Sequence, residues 1–193
     1  ASRSDEAAEA VIRLIESRVS AGEPAGDALA ETAAALAHDY SGTAMDARLR
    51  AAELRALIGD GRFAAALDRL SRAEGDERPP PEGRDDLANL LVAELVESAE
   101  DTVFLPLAAR ALDLPSLSPE TRRPLARRLA GLGLDAMAET ALALQGRDPA
   151  AEDRLIMANV ALLRRAPTLA IGYLSGLDGA DAADLRREAQ AQA

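Results

Sequence analysis

The stretch Gly61-Arg62-Phe63-Ala64-Ala65-Ala66-Leu67-Asp68-Arg69-Leu70 decides the fold class of this chain. Its apolar residues recur three and four positions apart, as at Phe63, Ala66 and Leu70, which is the spacing of one face of an α-helix. The stretch follows the tight turn Gly59-Asp60-Gly61. The sequence therefore predicts that one helix ends at this turn and that another begins directly after it.

The composition predicts helices throughout the chain. Ala supplies 45 of the 193 residues and Leu supplies 30, and both are strong helix formers. Only two Phe and two Tyr occur, there is no Trp, and β-branched residues are sparse. A sheet needs such side chains on its faces, so the sequence predicts an all-α fold.

Helical periodicity continues on both sides of the opening stretch. It predicts about eleven helices of roughly 10 to 16 residues, separated by turns that contain Gly or Pro. Short turns make neighbouring helices antiparallel. We therefore expect an α-solenoid of about five antiparallel hairpins, built as a single helical-repeat domain over residues 1–193.

The clearest interruption is the segment 75–84, with the sequence GDERPPPEGR. Three consecutive prolines end a helix and favour an extended conformation. The segment is either a long loop between hairpins or a divider between two halves of the chain, and any subdivision of the domain is expected here.

The charge of the chain excludes some classes of partner. The net charge is −11, from 33 acidic and 22 basic residues, and every basic residue is Arg. Affinity for nucleic acid and for anionic membrane surfaces depends on basic residues. We therefore expect neither nucleic-acid binding nor direct membrane contact, while the compartment, cytoplasmic or periplasmic, stays open.

The opening stretch resembles the second helix of a tetratricopeptide (TPR) repeat. The family places Gly, an aromatic residue, a small residue and a large apolar residue at the positions of Gly61, Phe63, Ala66 and Leu70. A second small residue follows at Ala73. The resemblance implies a right-handed superhelix of helix hairpins, in which the small residues let the two helices of a hairpin approach closely.

Weaker copies of the pattern start at Gly133 and at Ala166-Pro167, and a still weaker one lies around Phe104. Their spacing is irregular, and the first helices lack the Trp-x-x-Leu-Gly start of the family. The resemblance covers roughly residues 44–178. A HEAT-like array or another irregular right-handed superhelix remains an alternative.

Residues for catalysis are scarce. The chain has one His and no Cys, which leaves almost no way to assemble the usual pairs of nucleophile and base. His38 is expected near a helix end, where its charged form interacts favourably with the helix dipole. The sequence predicts no enzyme activity, no cofactor and no metal site. A stand-alone enzyme that depends on His38 is the weakest alternative.

The resemblance also implies a binding face. In TPR proteins the first helix of each hairpin lines a concave groove that takes extended peptides. Carrying the register over from the second helices places six residues on that face: Arg48, Arg55, Asn89, Arg123, Arg127 and Asn159. Guanidinium groups match carboxylates and amides match a peptide backbone, so we expect an acidic segment or a C-terminal carboxylate as ligand. Alternatively, these residues are solvated surface charges.

Two functions follow as expectations. The first is that the chain is a non-enzymatic protein–protein interaction module of a bacterial protein and acts as a scaffold or adaptor. The second is a helical accessory domain excised from a larger enzyme or envelope-anchored protein, an expectation that rests on the start of the chain at Ala1 instead of Met.

Overall fold

A computed structural model describes residues 3–72, 78–115, 117–143 and 149–193. In these ranges the chain forms helices joined by turns, and no β-strand occurs. The eleven helices of the described ranges are α1 (Arg3–Ser20), α2 (Asp27–Asp39), α3 (Ala44–Gly59), α4 (Phe63–Arg72), α5 (Arg84–Ser98), α6 (Asp101–Leu112), α7 (Pro119–Gly131), α8 (Asp135–Ala143), α9 (Ala151–Leu163), α10 (Pro167–Leu174) and α11 (Ala180–Gln192). The predicted all-α class is confirmed.

The chain forms two compact units, Ala1–Leu117 and Ser118–Ala193. The first unit contains α1 to α6 and the second contains α7 to α11. Within each unit, every helix packs against the next helix in the chain. Odd-numbered helices also pack against the next odd-numbered helix of the same unit, as in α1 with α3 and α7 with α9. This pattern is compatible with a helical repeat.

Helix α3 is the centre of the first unit and contacts α1, α2, α4 and α5. It is buried on several sides because its alanines, Ala51, Ala52 and Ala56, let neighbouring helices approach. Its first turn is capped by Thr43, whose hydroxyl oxygen accepts a hydrogen bond from the backbone N–H of Asp46 at 3.3 Å.

The predicted helix of the opening stretch is confirmed as α4. Gly61 has a positive φ of 71°, a conformation that glycine adopts without strain, and it separates α3 from α4. Phe63, Ala66 and Leu70 are all buried on the face that packs into the unit. Ala73, the second small residue of the resemblance, lies outside the described residues.

Two turns of the first unit are joined by one carboxylate. Asp60, in the turn after α3, accepts hydrogen bonds from the backbone N–H groups of Ala25 at 2.6 Å and Gly26 at 2.8 Å. Hydrogen bonds to a charged group are stronger than those between neutral groups. Asp60 therefore fixes the α1–α2 turn against the α3–α4 turn.

The described part of the proline-rich loop packs against α3 within the first unit. Arg50 donates a hydrogen bond from Nη1 to the carbonyl oxygen of Pro79 at 3.0 Å, and the N–H of Glu82 donates to the carbonyl of Ala47 at 3.1 Å. Pro81 is buried. Two hydrogen bonds thus hold the described part of the loop on α3. The prediction of a single domain over residues 1–193 stays a prediction.

The spacing of apolar residues predicts a helix from about Val103 to Leu114, with Pro106 in its first turn or at a kink. In the structure this helix is α6 and begins at Asp101, so Pro106 lies in the second turn. Since proline has no N–H, the carbonyl of Thr102 has no backbone donor at the usual position four residues ahead.

Prolines predict three helix starts in the second unit. For α7 the sequence leaves two starts open, Ser118 with Pro119 or Thr121 with Pro124; in the structure Ser118 is the cap and accepts a hydrogen bond from the N–H of Thr121 at 3.3 Å. The pair Ala166-Pro167 predicts the start of α10, and Pro167 is its first residue. Asp148-Pro149 predicts a helix with Asp148 as cap and Pro149 as its first residue. Asp148 lies outside the described residues, and α9 begins two residues after Pro149, at Ala151.

Two arginines satisfy the last carbonyl groups of α10. Arg154 of α9 donates from Nε to the carbonyl of Tyr173 at 2.9 Å, and Arg186 of α11 donates to the carbonyl of Leu174 at 2.9 Å. Helix C-termini need such donors because their last carbonyls have no partner within the helix. The two bonds also join α9, α10 and α11 around one apolar core that includes Leu162, Ala170 and Leu174.

Candidate functional site

The predicted groove residues of α3 form a ladder of ion pairs with α1. Arg48 donates to both carboxylate oxygens of Glu9, one of the bonds being 3.1 Å long. Arg55, two turns further on, lies 3.9 Å from the carboxylate of Glu16, which is two turns further along α1. Because both pairs have the same sequence separation, α1 and α3 run in the same direction. The two arginines therefore join neighbouring parallel helices.

The ion pair changes the titration of both partners. The hydrogen bond from Arg48 is the main cause that holds the pKa of Glu9 below its usual value. The hydrogen bond to Glu9 likewise raises the pKa of Arg48. A depressed carboxyl pKa stabilises the folded chain above the unfolded-state value of about 4.3, and this contribution is lost as the pH falls through the lower folded-state value.

We therefore expect Glu9→Gln to remove part of the acid sensitivity of the protein. The wild type should lose more thermal stability than this variant between about pH 6 and about pH 3, because only the wild type has to protonate Glu9 there. Melting curves followed by circular dichroism across this range measure the difference. Glu6→Gln on the exposed side of α1 is the control, and an equal flattening of its pH profile would contradict the assignment to Glu9.

Asn89 lies in α5, where its side-chain amide donates to the carbonyl of Asp85 one turn earlier at 2.8 Å. This bond orients the amide along its own helix. Asn89 shares the first unit with Arg48 and Arg55.

In the second unit, Arg123 of α7 is held by a buried carboxylate. Its Nε donates to the carboxylate of Asp153 at 2.5 Å, and its side chain is only 19% exposed. Asp153 is almost fully buried, and its other oxygen accepts a hydrogen bond from the N–H of Ala150 at 3.2 Å. Asp153 therefore holds Arg123 and caps α9 at the same time. The hydrogen bond to Asp153 is the main cause that raises the pKa of Arg123.

Two predicted residues, Arg127 of α7 and Asn159 of α9, line one groove of the second unit. Arg127 is half exposed and donates a hydrogen bond to the carboxylate of Glu152. Asn159 is exposed. The groove is lined by one cationic side chain, two acidic ones, an amide and three apolar side chains: Arg127, Glu152, Asp181, Asn159, Ala130, Leu155 and Ile156.

The sequence did not indicate the carboxylates that accompany the arginines. Glu152 and Asp153 lie in the first turn of α9, where acidic residues are common because they complement the helix dipole. Their position in the first turn is a sufficient reason for two acidic residues, so it does not indicate that they also pair with arginines. Only the packing of α7 on α9 shows that the two carboxylates also bind Arg123 and Arg127.

His38 lies exposed in the last turn of α2, as predicted. The described ranges hold no group of three or more histidine, aspartate or glutamate side chains placed to bind a metal ion. None of the helices in these ranges combines the length and the hydrophobicity that crossing a bilayer demands.

Comparison with known proteins returned no relatives. No protein-family model matches the chain, and neither the curated proteins nor the solved structures include one with significant similarity to it.

Proposed function

We propose that this chain is a non-enzymatic protein–protein interaction scaffold that binds a segment of a partner protein in a groove. The observation that supports this most is the groove between α7 and α9. There Arg127 and Asn159, for which the resemblance to TPR repeats implies a binding face, lie beside apolar side chains on one surface.

The groove residues have complementary roles toward a peptide. Leu155 and Ile156 offer apolar contact, Asn159 can donate to and accept from a peptide backbone, and Arg127 can bind a carboxylate through two parallel bonds. The groove thus combines four polar or charged side chains with three apolar ones.

The charges of the groove favour one of the two expected ligands over the other. Arg127 already pairs with Glu152, and Asp181 adds a second negative charge. A run of acidic side chains would meet repulsion from both carboxylates. A single C-terminal carboxylate meets this repulsion with one charge only, and it can replace Glu152 as the partner of Arg127. Of the two expected ligands, an acidic segment and a C-terminal carboxylate, we therefore favour the carboxylate.

The same proposal includes the finer architecture, a TPR-like right-handed α-solenoid of about five hairpins. In the first unit, α1 and α3 run in the same direction, and α2, which lies between them in the sequence, packs against both. This arrangement supports the proposed architecture for that unit. Eleven helices in the described ranges are one more than five hairpins contain. In this proposal the polar helix α11 caps the end of the array, as terminal repeats require.

Direct binding with matched variants tests the proposal. Affinity capture on the purified chain identifies a partner, and its C-terminal peptide is then titrated against the wild type and the double variant Arg127→Ala, Asn159→Ala. We expect the double variant to bind about tenfold or more weakly, since one charge-assisted hydrogen bond contributes about 1.5–3 kcal/mol. The same peptide with its C-terminal carboxylate amidated should show a similar loss of affinity for the wild type.

The control is Arg187→Ala with Gln190→Ala, which removes one arginine and one amide from the exposed side of α11. This variant should bind as the wild type does. Unchanged affinity of the double variant in the groove would refute the proposed site.

A further inference from the structure

The carboxylate of Glu152 lies between two arginines of α7. Its Oε1 accepts a hydrogen bond from Nη2 of Arg127, and its Oε2 lies 3.6 Å from Nη1 of Arg123. Positions 123 and 127 are about one turn apart and share a face of the helix. Each oxygen of Glu152 therefore faces a different arginine.

The two arginines differ in how they are held. Arg123 is bound through its Nε to Asp153, which is almost fully buried. Arg127 and Glu152 are each about half exposed, and among the described residues Glu152 is the one ion-pair partner of Arg127. Ion pairs between exposed partners contribute little free energy, since water screens both charges. Arg127 is thus the arginine that can change its partner.

Arg123 offers Glu152 a second binding place. The Oε2 of Glu152 already lies near its Nη1, while its Nε is bonded to Asp153. A guanidinium group has five N–H donors, which is enough for two carboxylates. A rotation of the Glu152 side chain toward Arg123 would therefore free Arg127 and still leave both carboxylates beside an arginine.

Building on the proposed function of this groove, on which the inference rests, we propose that Glu152 is an internal competitor for Arg127. It occupies Arg127 in the free protein and shifts to Arg123 when the C-terminal carboxylate of a partner binds Arg127.

Glu152 thereby determines the specificity of the groove. Because the incoming carboxylate replaces another carboxylate, its charge alone adds little affinity. Contacts of the ligand with Leu155 and Asn159, which line the same groove, have to supply the rest. The groove therefore favours a carboxylate that is attached to an apolar residue over a free small anion.

Titration calorimetry with a defined peptide tests the competitor. The probe is acetyl-Ala-Ala-Leu-Leu with a free C-terminal carboxylate, and the same peptide with a C-terminal amide is the second arm. We expect Glu152→Gln to bind the free carboxylate about threefold or more tightly than the wild type does, because the competing charge is gone. The amide brings no charge to Arg127 and should gain less.

Two further variants separate competition from repulsion. Asp181→Asn removes a carboxylate that lines the same groove but that, among the described residues, forms no ion pair with Arg127, so its gain in affinity should be smaller. Glu188→Gln makes the same charge change on the exposed side of α11 and should leave the affinity unchanged. An equal gain from Asp181→Asn and Glu152→Gln would overturn the proposal.

Arg123→Lys tests the shift of Glu152. Lysine keeps a positive charge beside Asp153 but lacks the planar fork that pairs with two carboxylates. This change should weaken binding of the free carboxylate in the wild type and have no effect when Glu152 is already replaced by Gln. Equal weakening in both backgrounds would overturn the shift to Arg123.

The two peptide arms distinguish failure of the competitor from failure of the proposed function. If the wild type and Glu152→Gln bind the free carboxylate equally, and both bind the amide more weakly, the competitor is refuted and the proposed groove stands. If no protein binds the free carboxylate more tightly than the amide, the proposed carboxylate site is refuted and the competitor with it.

Discussion

Replacing Phe104 by alanine is expected to lower the free energy of unfolding by about 3–5 kcal/mol, the usual cost of removing a buried phenyl ring. Phe104 lies in α6 and is completely buried. It is one of only two phenylalanines in the chain. The buried apolar residues of the described ranges are mainly Ala and Leu, which cannot fill a cavity of that size without moving helices.

The neighbouring residue provides the control for Phe104. Leu105 is the next residue of the same helix and is 44% exposed. Leu105→Ala should therefore cost less than about 1 kcal/mol. Urea unfolding followed by circular dichroism measures both variants. Similar losses of unfolding free energy in the two variants would contradict the assignment of Phe104 to the buried face of α6 and of Leu105 to the exposed face.

Leu174→Ala is expected to have the second largest effect, a loss of about 2–5 kcal/mol. Leu174 lies at the end of α10, is fully buried and packs into the core with Ala170 and Leu162. Its own carbonyl accepts the hydrogen bond from Arg186. A cavity at this position would loosen the contacts that α9, α10 and α11 share.

Helix α10 also contains a matched control for Leu174. Leu169 has the same side chain on the same helix but is 46% exposed. Leu169→Ala should change the free energy of unfolding by less than about 1 kcal/mol. Denaturant titration of both variants checks the difference, and a larger loss for Leu169→Ala would show that the buried face of α10 is assigned incorrectly.

The helices could be predicted from the sequence because their signals are local. The spacing of Phe63, Ala66 and Leu70 reports a helix face, and Pro167 reports a helix start without knowledge of the rest of the molecule. The start of α6 was less predictable. Pro106 is compatible with the first turn or with a kink, and the sequence alone did not distinguish these from a place in the second turn.

Contacts between helices could not be predicted in the same way. Asp60 reaches Ala25 and Gly26 across 35 and 34 positions of the chain, and no local pattern indicates that these turns meet. The same holds for Arg127 and Glu152, which are 25 positions apart. Their pairing depends on how α7 packs on α9, and periodicity does not determine that packing.

Hydrogen–deuterium exchange with a bound partner peptide tests the central claim most directly. If the chain is a scaffold whose groove lies between α7 and α9, the peptide should slow exchange of backbone amides in α7, in α9 and at the start of α11. It should leave exchange in α1 to α6 as it is in the free protein. Slowed exchange confined to α1 to α6, with α7 and α9 unchanged, would contradict the account.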